Sequence, residues 1–264
     1  MEKSKRELAF AVIIFLVMAF MDITGIPASM FLNISYKGVE PFYYYLMANR
    51  LLMILAGLLL IKGLCPEFMP SYRFSGLRRD LSEYGRSLYG IIIINFLAFA
   101  IGVFNYMDRI PSHSRIIIIA IISNIFLAAA QELYLRGLLI NILKSALSTS
   151  RKAGLWSVMI SAAVFSLIGA IPAWRLGLPS VAAKIVWTFA MGIVLGVIYI
   201  KSSSLLLTTL LRYFLELLPA FMFVQMKDPY YPMLFLIIVP SAWVVTAVYI
   251  LKKYPLVSHD GNND

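Results

Sequence analysis

Four ionisable residues that stand in apolar segments are the first candidates for chemistry in this chain. Glu132 and Arg136 lie four residues apart in one apolar run, and Arg212 and Glu216 have the same spacing in another. Residues at this spacing share one face of a helix, so each pair can neutralise itself. An ionisable side chain inside a membrane costs about 2.5–3.5 kcal/mol on insertion scales, and it therefore needs a partner or a function. The pattern allows one buried network of four charges, which would either hold helices together or form a polar functional site.

Other residue types that support catalysis are scarce. The 264 residues include two histidines, His113 and His259, and one cysteine, Cys65. A single cysteine excludes an internal disulfide and a cluster of thiolate ligands. A catalytic zinc ion usually takes three protein ligands, so Glu132 and Glu216 alone would make a poor zinc site. The sequence also lacks a phosphate-binding loop, a dinucleotide fingerprint, a serine-hydrolase elbow and a zinc-protease helix motif. We therefore expect no metal and no other cofactor.

The elements that would position these charges are membrane-spanning helices. Hydrophobic residues make up 61% of the chain and charged residues 14%, which excludes a water-soluble globular protein. A spanning helix needs about 20 mostly apolar residues. The sequence predicts an all-α membrane protein, a polytopic bundle of about eight transmembrane helices, with one domain at residues 1–257 and a disordered tail at 258–264. The predicted spans are 8–31, 42–64, 88–107, 115–147, 154–173, 181–200, 205–224 and 233–251.

The distribution of basic residues predicts the orientation of this bundle. If the N-terminus is cytoplasmic, 14 of the lysines and arginines fall on that side of the membrane and 7 on the other. Cytoplasmic loops are enriched in these residues, so both termini are predicted to be cytoplasmic. This bias also explains the net charge of +10 without a nucleic-acid partner. Residues 72–89 read either as an amphipathic helix on the cytoplasmic surface or as an ordinary basic loop. The lipid bilayer is the expected environment, and a prokaryotic cell membrane the expected location.

Three segments resemble the motifs of a known family. Residues 131–137, QELYLRG, are similar to the first motif of the CPBP family, E-E-x-x-x-R. Residues 165–169 stand where that family has F-x-x-x-H, and residues 212–216 where it has H-x-x-x-N or H-x-x-x-D. The family contains CAAX prenyl endopeptidases and bacteriocin-processing or abortive-infection proteins. The resemblance is carried by Glu132, Arg136 and Phe165, and it implies a CAAX-protease-like bundle of eight helices.

The resemblance also implies which residues would react, and this chain departs from the family at those positions. Active members are thought to activate water with the first-motif glutamate and the second-motif histidine, in a metalloprotease that uses zinc. The third motif is assigned to the oxyanion. The matching positions here are Gln131, Gly169, Arg212 and Glu216. Gln131 and Arg212 cannot accept a proton near neutral pH, and Gly169 offers no side chain. Only Glu216 retains base chemistry.

Three functions remain open from the sequence. The first is a non-catalytic membrane scaffold that binds a membrane protein or a peptide. The second is a divergent but active intramembrane peptidase, with Glu132 or Glu216 as the base and Arg212 as the oxyanion donor. The third is a transporter or channel, with a path lined by Asp22 and the four network charges.

Overall fold

The computed structural model describes five stretches of the chain. They are residues 39–64, 74–106, 114–171 without 149 and 151, 177–223, and 233–254, together with six isolated positions among the first 16 residues. The predicted span at 8–31 lies outside these stretches, apart from the isolated positions. The predicted tail at 258–264, Asp22 and both histidines also lie outside the described residues.

The described residues form helices, and no strand occurs among them, which confirms the all-α prediction. Long apolar runs favour helices because a helix satisfies every backbone hydrogen bond within its own segment. The helices are α1 (Val39–Leu64), α2 (Phe74–Tyr106), α3 (Ser114–Glu132), a π-helical segment (Leu133–Ile140), α4 (Asn141–Ala146), α5 (Ala153–Ala170), α6 (Leu178–Ser202), α7 (Leu205–Phe223) and α8 (Met233–Lys253).

The described stretches also contain candidate membrane spans. Within the described stretches, four segments are long and apolar enough to cross a membrane. The predicted count of about eight is therefore not confirmed. The four segments are Tyr43–Gly63, Ile121–Ala146, Ala153–Ala170 and Val181–Ser202.

The segment interpreted as either an amphipathic helix or a loop is helical from Phe74 onward. It continues without a break into the predicted third span, so α2 runs for 33 residues. One face of its first half is buried through Asp80, Tyr84 and Leu88, which follow the three-to-four-residue spacing of an amphipathic helix. The alternative of an ordinary basic loop is wrong for residues 74–89.

The predicted long span at 115–147 is helical throughout but changes its winding. Between α3 and α4, the chain forms a π-helix from Leu133 to Ile140, and all eight of these residues are buried. The wider turn of a π-helix disturbs the usual hydrogen-bond ladder. The Asn141 side-chain amide donates to the Gly137 carbonyl at 2.9 Å and to the Tyr199 hydroxyl at 2.9 Å. Asn141 thereby joins the end of the π-helical segment to α6.

Helices α5 and α6 approach closely at two glycines. A Cβ atom built on Gly192 would lie 2.8 Å from the Ala162 Cβ, and one on Gly196 would lie 2.7 Å from a Val158 methyl group. Only residues without side chains allow this separation, which is how small residues pack helices in membranes. The resulting core holds the π-helical segment between α5, α6 and α7.

The first half of α2 meets the C-terminal ends of α6 and α8. The Tyr84 hydroxyl donates to the Lys201 carbonyl at 3.2 Å, and the Tyr254 hydroxyl donates to the Glu83 carbonyl at 2.8 Å. The Tyr84 and Tyr254 rings are in edge contact, with centroids 5.1 Å apart. The beginning of α2 and the ends of α6 and α8 therefore lie at the same end of the bundle.

Candidate functional site

The π-helical segment and α3 supply the first half of a buried charge network. Glu132 is the last residue of α3, and Arg136 lies one turn later in the π-helical segment. The Arg136 Nη1 atom is 2.9 Å from the Glu132 Oε1 atom. Arg136 also donates through Nη2 to the Gly192 carbonyl of α6 at 3.2 Å. The Arg136 side chain thus links α3, the π-helical segment and α6.

Helix α7 supplies the second half. Its first turn is capped by Ser204, whose hydroxyl accepts from the Leu207 backbone N–H at 3.2 Å, as is usual at a helix N-terminus. Two turns further on, Arg212 Nη1 is 3.0 Å from Glu132 Oε1, and Arg212 Nη2 is 2.9 Å from Glu216 Oε1. Arg212 also donates to the Gln131 side-chain carbonyl.

The result is one linked chain of charges, ordered Arg136, Glu132, Arg212, Glu216. The first three side chains are at most 1% exposed, and Glu216 is 14% exposed. Two positive and two negative groups leave the network without net charge. Burying such groups is costly, and the loss of one partner leaves an uncompensated charge in an apolar interior. The geometry is therefore that of a buried linear network in which each charge is balanced by its neighbours.

Phe165 of α5 packs against both arginines. Its ring centroid lies 4.4 Å from the Arg212 guanidinium carbon and 5.8 Å from that of Arg136. A cation near an aromatic ring gains electrostatic stabilisation, and more so where water is excluded. The only residue of the second motif that this chain keeps therefore supports the charge network.

Gly169 lies one turn beyond Phe165, but its nearest contact is with Thr188 of α6 and not with the charge network. The three atoms closest to a Cβ built at this position all belong to Thr188 of α6, the nearest at 3.1 Å. The space beside Gly169 is therefore partly filled by Thr188. The motif positions thus divide into two groups: Gln131, Glu132, Arg136, Phe165, Arg212 and Glu216 meet, whereas Gly169 faces α6.

The network does not fit a zinc ion. Within the described stretches, no three His, Cys, Asp or Glu side chains come together in a group that could hold a metal. One oxygen of each carboxylate, Glu132 and Glu216, already accepts a hydrogen bond from Arg212. The two guanidinium groups would also repel a divalent cation in this apolar interior. The residues present are suited to binding one another rather than a metal.

The sequence did not reveal two features of this site. The Gly192 carbonyl accepts from Arg136, but a backbone acceptor leaves no trace in a residue pattern. The π-helical winding was also missed, because its residues are as apolar as those of an α-helix. Asn141 donates a hydrogen bond to Tyr199 of α6.

The comparison with known proteins agrees with the motifs. Residues 112–218 match the model of a family described as type II CAAX prenyl endopeptidase Rce1-like. The matched segment covers less than half of the chain, but it contains every motif position discussed above. No curated protein and no solved structure matches the chain. The resemblance to the CAAX endopeptidase group is confirmed for this segment, and with its apolar helices the chain is an integral membrane protein.

Proposed function

We propose that this protein is a non-catalytic relative of the CAAX endopeptidases that binds a peptide or protein partner within the membrane. The observation that carries the proposal is the buried charge network at the motif positions. Glu132 Oε1 accepts from Arg212 Nη1 at 3.0 Å and forms an ion pair with Arg136 Nη1 at 2.9 Å. This oxygen contacts two guanidinium groups, and the Oε2 atom of the same carboxylate is buried, so we infer that Glu132 serves the network and not a reacting water.

The neighbouring replacements point the same way. Gln131 accepts a hydrogen bond from Arg212, and a neutral amide does not act as a general base. Gly169 has no side chain to pair with Glu132. A protein that binds a partner needs the folded helix bundle but does not need the side chains that activate water. We further propose that both termini are cytoplasmic and that the membrane is that of a prokaryotic cell.

The proposal is tested with the full chain in lipid nanodiscs and a prenylated CAAX peptide as probe. We expect photo-crosslinking of the intact peptide and no cleavage. A matched variant restores the family residues through Gln131→Glu, Gly169→His, Arg212→His and Glu216→Asn, with Thr188→Ala to make room for the histidine. Cleavage by this restored variant alone would support the proposal.

Cleavage by the unmodified chain, lost on Glu132→Gln in protein that still elutes as a folded particle, would overturn the proposal. Absence of crosslinking to the prenylated peptide, and to membrane proteins of the source cell, would contradict the binding role.

One observation favours a divergent active peptidase as the second candidate. The Glu216 Oε2 atom is buried and has no hydrogen-bond partner among the described residues, whereas the side chain as a whole is 14% exposed. Glu216 could therefore act as a base, with Arg212 stabilising an anion. In that case Glu216→Gln would abolish cleavage. The transport hypothesis stays a prediction, and flux measurements in liposomes would test it.

A further inference from the structure

The exposed face of α2 changes character in a fixed order along the helix. Arg79 and Arg86 are exposed near its beginning, and Tyr89 follows with 62% of its surface exposed. The next exposed residues are aliphatic or aromatic. Arg86, Tyr89 and Ile93 follow one another at spacings of three and four residues, so they form one stripe on the helix. The apolar exposed residues of this stretch are Ile92, Ile93, Phe96 and Leu97.

Helix α8 shows the same order in reverse. Val245 and Val248 are exposed on its second half, and Tyr249 follows with 49% exposure. Lys252 and Lys253, both exposed, form its last turn. The Lys253 ammonium lies 5.4 Å from the Tyr249 ring centroid. Each helix therefore presents an aliphatic layer, a tyrosine and then a basic layer.

These layers lie at matching levels because the two helices meet at their basic ends. Tyr254, directly after α8, donates to the Glu83 carbonyl and contacts the Tyr84 ring. Lys253 also lies 5.4 Å from the Tyr254 ring centroid. Among the acidic side chains of this end, Asp80 is buried and lies 3.7 Å from Arg79. Glu83 is exposed, but its single negative charge is outnumbered by the exposed Arg79, Arg86, Lys252 and Lys253, so the surface remains positive.

We propose that this end of the α2–α8 pair binds an anionic phospholipid. Lysine and arginine would bind the headgroup phosphate, tyrosines suit the boundary between headgroup and hydrocarbon, and the aliphatic layer would contact the acyl chains. A soluble phosphate would contact only the basic layer. A zwitterionic lipid carries no net charge, so the basic layer would not attract it electrostatically. The order of all three layers therefore points to a lipid with net negative charge.

The test uses the full chain purified in detergent, with phosphatidylglycerol and phosphatidylcholine as probes and native mass spectrometry to measure binding. The unmodified protein should prefer phosphatidylglycerol. A basic residue beside an anionic membrane contributes about 1 kcal/mol, which corresponds to about a fivefold change in affinity. The variant Arg86→Gln with Lys252→Gln and Lys253→Gln should therefore lose most of that preference.

The matched control is Lys144→Gln with Lys152→Gln, which removes exposed charges from the α4–α5 region and should keep the preference. Equal binding of both lipids by the unmodified chain would overturn the proposal. So would an unchanged preference in the triple variant, or an equal loss in the control. Complete competition by inorganic phosphate at the affinity of phosphatidylglycerol would show a phosphate site without lipid specificity.

Discussion

Arg212 contacts three side chains of the network: Gln131, Glu132 and Glu216. It is fully buried, so its charge cannot be replaced by water. Replacing Arg212 with glutamine would leave two carboxylates with only Arg136 to balance them. Because an uncompensated buried charge costs about 3–5 kcal/mol, we expect Arg212→Gln to lower the free energy of unfolding by that amount. Thermal unfolding in detergent measures the change.

The double variant Arg212→Gln with Glu216→Gln provides the control for charge. It removes one positive and one negative group and leaves the Glu132–Arg136 pair at 2.9 Å. We expect it to be more stable than the single variant, because the network is neutral again. A double variant as unstable as Arg212→Gln would show that packing, not charge balance, sets the cost.

Ionisation of the Tyr84 phenol should make the folded protein less stable at alkaline pH. Tyr84 precedes the predicted span at 88–107, and burial, followed by the charges of Glu83 and Asp80, raises its pKa to about 12. The unfolded value is about 10, so the contribution of the neutral phenol to stability is complete below pH 10. It is lost as the pH rises toward 12, because the folded state resists ionisation.

Unfolding midpoints between pH 8 and 12 test this expectation. The fall in stability above pH 10 should be shallower in Tyr84→Phe than in the unmodified chain. Parallel curves for the two proteins would contradict a role for Tyr84 ionisation.

At the residue scale, the sequence indicated which four charges could meet. It did not indicate which of them form ion pairs with one another. The spacing of four residues allowed two separate pairs or one network. The choice depends on packing, because Arg212 reaches Glu132 only when α7 lies against α3. Glu132 and Arg212 are 80 positions apart, and no local pattern encodes that contact.

At the scale of elements, the close contact of α5 and α6 positions the acceptor for Arg136. The Gly192 carbonyl oxygen accepts from Arg136, and the missing side chain of Gly192 allows the approach to Ala162. A methyl group at Gly192 would meet the Ala162 backbone at 2.9 Å. We expect Gly192→Ala to cost about 1–3 kcal/mol, as overpacking does, and to be visible as a lower unfolding midpoint.

Gly90→Ala is the matched control on α2, because no atom lies within 4 Å of a Cβ built there. An alanine in an open helical position usually stabilises by about 0.5–1 kcal/mol. If Gly192→Ala were tolerated as well as Gly90→Ala, the helices would be free to move apart.

Hydrophobic patterning predicts well where the helices of this fold lie. It does not predict whether a segment winds as an α-helix or a π-helix. The bounds of α7, Leu205–Phe223, differ by one residue from the predicted span at 205–224. The π-helical segment has no such signal, because its side chains pack as apolar residues whatever the backbone register. Asn141 donates a hydrogen bond to the Gly137 carbonyl. The sequence shows this polar residue but does not show its hydrogen-bond partners.

At the scale of the whole molecule, the basic residues of several helix ends collect at one end of the bundle. Arg79, Lys201 and Lys253 belong to three helices whose ends meet through Tyr84 and Tyr254. These three residues are among the 14 lysines and arginines that are predicted to lie on the cytoplasmic side. Leu178 begins α6, whose 25 residues end beside Lys201, and a helix of that length extends about 37 Å. Leu178 therefore lies at the opposite end.

This arrangement predicts which positions an impermeant maleimide can reach from each side of the membrane. The parent is Cys65→Ser, which removes the only cysteine, and single cysteines are placed at Arg79, Lys253 and Leu178. In intact cells, only Leu178→Cys should react, because its side chain is 75% exposed and lies at the end that the charge distribution predicts to be outside. Inside-out vesicles should give the reverse pattern. Labelling of Arg79→Cys and Lys253→Cys from opposite sides would contradict the fold, whereas labelling of both from outside would reverse only the orientation that the charge distribution predicts.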